Sequence, residues 1–408
     1  MPKILFINRS YWPDVEATGQ LLTELCEDLA ELFDVSVLCG QPNRNPENVD
    51  FKKSGSEVRN NVQVRRVRHT RFEKKRGLLF RAANMLTFFI RATMSAVLGP
   101  RPDAVIVETD PPLLCFIGFL VKRIRGAKLV LYQQDIYPDV ALAMKKVPGW
   151  FPYRIVRSLF YFVYRRADRV VVLSTDMKEH FVASGVDVSR IHVIPNWTDP
   201  HAVYPIKESN EFRDLAELNG QFVVMYSGNI GLSQRLETVL GAAETLKDNK
   251  QVAFIFVGDG ASREQFENDA KRRELANVRF FDYQPKAKLA HSLSAADLHL
   301  VLLDPSLAPF LMPSKIYSVL ASGTPCVVLS SEECELSNIV MENEVGTVCE
   351  PNDSEELVRQ ILMFADDPDL VRMAGDTARE LAVSVYCREN SVAEFAAMLS
   401  LLCKSDSK

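Results

Sequence analysis

Histidine is scarce, at six of 408 residues, and the eight cysteines (Cys26, Cys39, Cys115, Cys326, Cys334, Cys349, Cys387 and Cys403) include no CxxC pair and no partner histidines at zinc-ligand spacing. No zinc module is expected, and the thiols read as reduced and mostly buried. No uninterrupted apolar run of about 20 residues exists, so no membrane-crossing helix is expected. Met1-Pro2-Lys3, leading straight into Ile4-Leu5-Phe6-Ile7, is too short and poorly flanked for a secretory signal and reads as the first strand of a cytoplasmic protein. A basic excess is missing as well: 48 Lys and Arg against 53 Asp and Glu give a net charge of −5, where a bulk nucleic-acid binder leans basic. What is present is a globular balance, 47% hydrophobic and 25% charged, in a chain longer than one core usually supports.

The pattern along the chain is that of parallel α/β sheets. Apolar runs at Ile4–Ile7, 35–38, 104–107, 129–131 and 169–173 are separated by helical stretches, as in strands buried on both faces by crossover helices. From Phe222 the same grammar restarts, with runs at 222–226, 253–257, 278–281, 298–303 and 325–329. Pro195, Pro200 and Pro205 mark the join. Two Rossmann-like doubly wound domains are expected, over 1–200 and 201–385, followed by a carboxyl-terminal helix over 386–408 that packs back on the first domain. Open α/β sheets bind ligands at the carboxyl ends of their strands, so two such sheets face to face would share one cleft.

Two loops there suit a diphosphate. Ser227-Gly228-Asn229-Ile230-Gly231 follows a strand and leads toward a helix beginning near Arg235, and its glycines would let the backbone approach a phosphate. Pro313-Ser314-Lys315 opens a short helix closed by Gly323, with proline expected in its first turn, and Lys315 adds a full charge.

Together with Ile4 to Gly19, Val170 to Asn196, Phe256-Val-Gly-Asp-Gly260 and Ala321-Ser-Gly-Thr-Pro325, these segments resemble the family 4 glycosyltransferases, which are retaining enzymes of GT-B fold. Ser227 to Gly231 and Pro313-Ser-Lys315 look most like the bacterial fucosamine-transferase and colanic-acid types of surface-polysaccharide assembly. The resemblance implies transfer of a sugar from a nucleotide diphosphate donor, UDP by family default, with retention and without a metal or other cofactor. It places Gly228, Asn229 and Gly231 against the diphosphate, with Arg235 adjacent. Lys315 would neutralise the leaving group, and Pro313 and Ser314 would lie beside it. Tyr283 and Gln284 fall in the loop whose backbone pairs with the base, and Gly19 matches a loop glycine that admits the reacting centre. Asp135 and Asp139 match the region that meets sugar and acceptor. The glutamate pair of many members falls here on Phe310 and Ser318, and their arginine and lysine on Asn229 and Gln234. Glu335 is an alternative contact to sugar or ribose. Without a glutamate nucleophile, front-side substitution with Asp135 and Lys315 as the catalytic residues is the expected mechanism.

Between Arg59 and Arg91 lie Arg65, Arg66, Arg68, Arg71, Lys74, Lys75, Arg76 and Arg81, with the single acid Glu73 and the runs Leu78–Phe80 and Met85–Ile90. Trp150 to Arg166 repeats the mixture. This reads as a basic segment and an amphipathic helix at an anionic membrane surface, peripheral on the inner face of the cytoplasmic membrane. A polyprenyl-diphosphate-linked or saccharide acceptor would suit that place, and no nucleic acid is expected as a partner. Two other classes stay open at this point, a non-catalytic GT-B scaffold and a nucleotide-sugar 2-epimerase.

Overall fold

The computed structural model describes residues 1–42, 51–72, 77–144, 151–206, 209–231 and 236–404. Its chain divides into two compact units. The first holds Met1–Pro195, Pro309–Leu311 and the chain from Ser391 on; the second holds Asn196–Ala308 and Met312–Asn390.

In the first unit, β1 (Lys3–Ile7), β2 (Asp34–Cys39), β3 (Gly55–Arg59), β4 (Val62–Arg66), β5 (Ala104–Val107), β6 (Lys128–Tyr132), β7 (Arg169–Val172) and β8 (Ile191–Val193) form one sheet. Its order is β3-β4-β2-β1-β5-β6-β7-β8, parallel throughout except for β3 against β4. In the second unit, β9 (Phe222–Ser227), β10 (Val252–Val257), β11 (Val278–Phe281), β12 (Leu298–Leu302), β13 (Cys326–Leu329) and β14 (Gly346–Cys349) form an all-parallel sheet. Its order is β11-β10-β9-β12-β13-β14. Both sheets reverse strand order once, between β1 and β5 and between β9 and β12, and a doubly wound sheet opens its ligand crevice at such a point.

Burial follows the sequence pattern. All six residues of β10 and all five of β12 are buried, as strands covered on both faces must be. Four strands lie outside the runs read from the sequence: β3, β4, β8 and β14 are short and partly exposed, so their apolar signal is weak.

The β3–β4 hairpin also corrects the reading of the basic segment. Arg66 is buried, ion-paired to Glu57 at 2.9 Å and set over the rings of Trp12 and Phe51. Arg59 pairs with Glu27 at 2.8 Å and stacks on Trp12. These two are structural. Arg68, Arg71 and Arg91 are exposed, while Lys74, Lys75 and Arg76 lie outside the described residues. The Leu78–Leu98 helix follows, as the pattern predicts.

The amino ends of the strands share a device. The Asp103 amide donates to the Lys3 carbonyl at 2.8 Å while its carboxylate accepts from the Lys3 amide at 2.7 Å. Asp168 clasps Leu129 in the same way, at 2.9 and 2.7 Å, and Asp297 clasps Val223, also at 2.9 and 2.7 Å. Each clasp extends a parallel ladder by one residue, and those at Asp103 and Asp297 join the two strand pairs where order reverses. Asp297 also accepts from Arg213. Asp297→Ala is expected to cost about 2 kcal/mol, the size of a charge-assisted hydrogen bond lost with its partner left unpaired. A urea-unfolding midpoint measures it, and an unchanged midpoint would deny the clasp its role.

Candidate functional site

The second unit places its loops at the carboxyl edge of β9 and β12. Gly228, just past β9, has φ +139, a conformation that favours glycine, and its amide donates to the Val257 carbonyl at 2.9 Å. The Ile230 amide donates to the Asp259 carbonyl at 3.0 Å. A Cβ on Gly258 would overlap the Gly228 carbonyl, and one on Gly260 the Ile230 carbonyl, so the two glycine motifs pack backbone on backbone. Asn229 is exposed between them and Gly231 is buried. With the amides of Gly228 and Ile230 already engaged, this loop offers a phosphate a close surface more than a ring of donors.

Lys315 stands beside it as the first residue of the Lys315–Ala321 helix. Its ammonium lies 3.7 Å from the centre of the Tyr226 ring, and the Tyr226 hydroxyl donates to the Asn229 carbonyl at 2.8 Å. A Cβ on Gly228 would come within 3.3 Å of that ammonium. The nitrogen is buried and has no hydrogen-bond partner among the described residues. Burial pushes its pKa down to about 7, because the charged form loses its hydration. His299 on β12 is also buried and held neutral, its pKa lowered to about 4 by burial and, in smaller part, by Lys315. Tyr226 is the partner the sequence reading missed. It lies inside an apolar strand run, where core packing is the ordinary expectation.

The other second-unit residues are spread along the same sheet. Pro313 precedes the N-cap Ser314 instead of lying in the first helical turn, and Ser314 makes no side-chain cap. Tyr283 is 59% exposed past β11, and the Gln284 amide donates to the Asp282 carbonyl at 3.0 Å. Asp282 itself pairs with Arg263 at 2.6 Å. Glu335 opens the Glu335–Glu342 helix after β13. Arg235 and Gln234 lie outside the described residues. Ser318 bonds Thr198 at 2.8 Å between hydroxyls. Among the described residues no group of three His, Cys, Asp or Glu is placed to hold a metal ion.

In the first unit, Gly19 sits inside the Ala17–Leu29 helix rather than in a loop. It is glycine because a Cβ would strike the Ser10 hydroxyl, and its carbonyl accepts from Thr23 at 2.7 Å. Its role here is close packing of the Arg9–Trp12 turn on that helix. At the end of β1, Arg9 pairs with Asp110 at 2.7 Å and Glu16 at 3.3 Å. Glu108, at the end of β5, is 3% exposed, and neither carboxylate oxygen has a hydrogen-bond partner among the described residues. Burial, and in smaller part the charge of Asp110, pushes its pKa well above the ordinary carboxylate value.

Asp135 follows β6, half-buried, in an isolated antiparallel bridge with Leu311. The Ile136 amide donates to the Phe310 carbonyl at 2.8 Å, and the Phe310 ring lies 4.8 Å from that of His180. Asp139 is a hub: Tyr153, Arg157 and Tyr161 reach its carboxylate at 2.8, 2.6 and 2.8 Å, and Tyr161 also meets His180 at 2.7 Å. Its pKa is held far below the ordinary 3.8 by bonds to His180, Arg157, Tyr161 and Tyr153, against the opposing cost of burial. Asp139 therefore ties the Asp139–Ala143, Phe151–Tyr164 and Thr175–Ala183 helices together, and is not placed to meet a substrate.

Because the folded state favours the Asp139 carboxylate, its contribution is complete above pH 3.8 and is lost as pH falls further. Asp139→Asn is expected to cost about 3 kcal/mol at pH 7, as when one partner of a buried pair is removed. Thermal unfolding should then depend less on acid than in the wild type, and equal acid sensitivity would contradict the assignment.

Family models match both halves of the chain, a glycosyl transferase 4-like domain over residues 17–197 and glycosyl transferases group 1 over 207–381. A protein of Pseudomonas aeruginosa described as a probable glycosyltransferase, WbjE, is 31% identical over 342 residues, 83% of this chain and 84% of the relative. A protein of Escherichia coli K12 described as a colanic acid biosynthesis glycosyl transferase, WcaI, is 29% identical over 303 residues, 72% of this chain and 73% of its own. Among solved structures, sucrose-phosphate synthase from Thermosynechococcus elongatus superposes with a TM-score of 0.78 at 18% identity over the whole of both chains. Anabaena HepE in complex with UDP and glucose gives 0.74 at 18% identity over 98% of this chain and all of its own. Matched by these family models along most of its length and 31% identical to WbjE, and with the two-domain fold of the solved neighbours, the chain belongs to the family 4 glycosyltransferases.

Proposed function

We propose that this protein moves a sugar from a nucleotide diphosphate donor, UDP-linked, to a lipid-linked or saccharide acceptor, with retention, in the biosynthesis of a surface polysaccharide of the O-antigen or exopolysaccharide kind. The observation that carries this reading is the buried Lys315 ammonium, held without a hydrogen-bond partner among the described residues at the strand ends where the second sheet reverses order. A desolvated cation in such a place is completed by an anion. A diphosphate leaving group has that charge, and the UDP bound by HepE and the colanic-acid role named for WcaI agree with donor and pathway class.

The reaction needs no metal in this reading. As the bond from C1 to the diphosphate oxygen lengthens, Lys315 takes up the growing negative charge. The acceptor hydroxyl forms its bond to C1 on the same face and gives its proton to the departing phosphate. Asp135, at the carboxyl edge of the first sheet, orients that hydroxyl. The positions of the family's glutamate pair are otherwise engaged, Phe310 with His180 and Ser318 with Thr198, so a covalent relay through them has no group to run on.

We place the enzyme peripherally on the inner face of the cytoplasmic membrane. No helix among the described residues is long and apolar enough to cross one. The Leu78–Leu98 helix leaves Leu79, Leu86, Ile90, Met94 and Leu98 exposed at seven- and four-residue spacings, beside the exposed Arg91.

Lys315→Met is expected to lower the transfer rate by about 10²- to 10³-fold, as loss of one preorganised charge-stabilising group does. The same change should raise the melting temperature of the donor-free protein, since an uncompensated buried ammonium disappears. A slower but not more stable variant would make Lys315 a packing residue. Donor affinity should fall as pH rises above about 7, where the donor-free lysine loses its proton, and Lys315→Met should abolish that fall. Isothermal titration with UDP between pH 6 and 9 reads this directly. Asp135→Asn turning over normally would remove Asp135 from its role.

A further inference from the structure

On the first unit, β4 and the carboxyl half of the Leu78–Leu98 helix enclose an open groove of about 800 Å³. One wall is basic, with Arg65, Arg68 and Arg91; the other is apolar, with Ile90, Met94 and Leu98. Met94 is 57% exposed and Leu98 77%, so this wall belongs to no core.

Arg65 decides what the groove is for. On β4 it faces away from the buried Arg66, and its guanidinium lies against Gly99, so close that a Cβ there would overlap it. Burial lowers its pKa, and no ion pair or hydrogen bond joins its guanidinium to any described residue. The Gly99 carbonyl, which would be its natural partner at the helix end, is taken by Arg125 at 2.9 Å. Arg68 is held over the groove by its bond to Ser54 at 3.1 Å, and Arg91 projects from the helix beside Ile90. A half-buried guanidinium left in this state is completed by an anion, and the apolar wall beside it would leave a hydrophilic anion half unmatched.

We propose that this groove binds a single anionic phospholipid of the bilayer surface, its phosphate on Arg65, Arg68 and Arg91 and its acyl chain along Ile90, Met94 and Leu98. The inference rests on the peripheral-membrane reading above and adds a stoichiometric site to it. Diffuse attraction treats every basic residue alike, at about 1 kcal/mol or fivefold in partitioning for each, whereas a built site does not.

Co-sedimentation with phosphatidylcholine vesicles, with and without about 30% phosphatidylglycerol as the anionic lipid, tests both levels. The full chain should bind the anionic vesicles, and no binding at low salt would overturn the membrane reading and the groove together. Given binding, Arg65→Gln and Met94→Asp should each weaken it more than tenfold, against no more than about fivefold for Arg71→Gln at an exposed position away from the groove. Equal losses in all three would leave peripheral attachment standing and overturn the groove. Met94 is exposed, so its variant folds even where Arg65→Gln does not. Monomeric dihexanoyl phosphatidylglycerol should raise the melting temperature more than equimolar inorganic phosphate, and equal shifts would show a phosphate site without an apolar half.

Discussion

Three aspartates hold the sheets in register, and the placing of every functional loop depends on them. A parallel pair has no hairpin to fix its alignment, and β9 and β12 share only two paired residues each. A carboxylate that grips an amide while its own amide grips the neighbouring carbonyl locks such a pair at its amino end, as Asp297 does for Val223 and Asp103 for Lys3. The third clasp, at Asp168, joins β6 to β7, whereas these two stand at the two reversals of strand order. Slip there would displace the loops at the other end of the same strands, where Gly228 and Lys315 lie on one sheet and Arg9 and Glu108 on the other.

Each of those reversals also carries one titratable group out of water. In the second sheet it is Lys315 over Tyr226, its pKa lowered to about 7 by burial; in the first it is Glu108 at the end of β5, its pKa raised by burial. Neither arrangement favours folding, because a buried ionisable group without a partner is costly in any fold. Such costs concentrate where a site needs charge or protons on demand. In the reaction proposed above, the lysine would receive its counter-charge from the donor, so that donor binding and ionisation would be one event.

Much of this was legible in the sequence, for physical reasons. Strands buried on both faces leave continuous apolar runs, so β1, β5, β10 and β12 could be read, whereas β3 and β14 expose residues and could not. Family resemblance pointed to Lys315 and Gly228. What the sequence could not show was where a side chain's partners come from. The resemblance puts Gly19 in a loop, whereas it lies in a helix against Ser10, and puts Asp139 in the region that meets the substrate, whereas four side chains already surround it. Arg66 counted toward a basic surface but pairs inside with Glu57, because in a hairpin alternate arginines face opposite ways.

The first unit is not continuous in sequence. Pro309–Leu311 and the chain from Ser391 on belong to it, the latter through Ser391 bonded to the Pro195 carbonyl at 3.0 Å and Phe395 against the ring of Tyr132. A ribosome that has released residues 1–195 has therefore not yet supplied everything their core requires. The edge-on contact with Tyr132 arrives only with the Arg388–Lys404 helix. The first unit is thus completed by residues made after the whole of the second, so its folding cannot finish before the second unit has been synthesised.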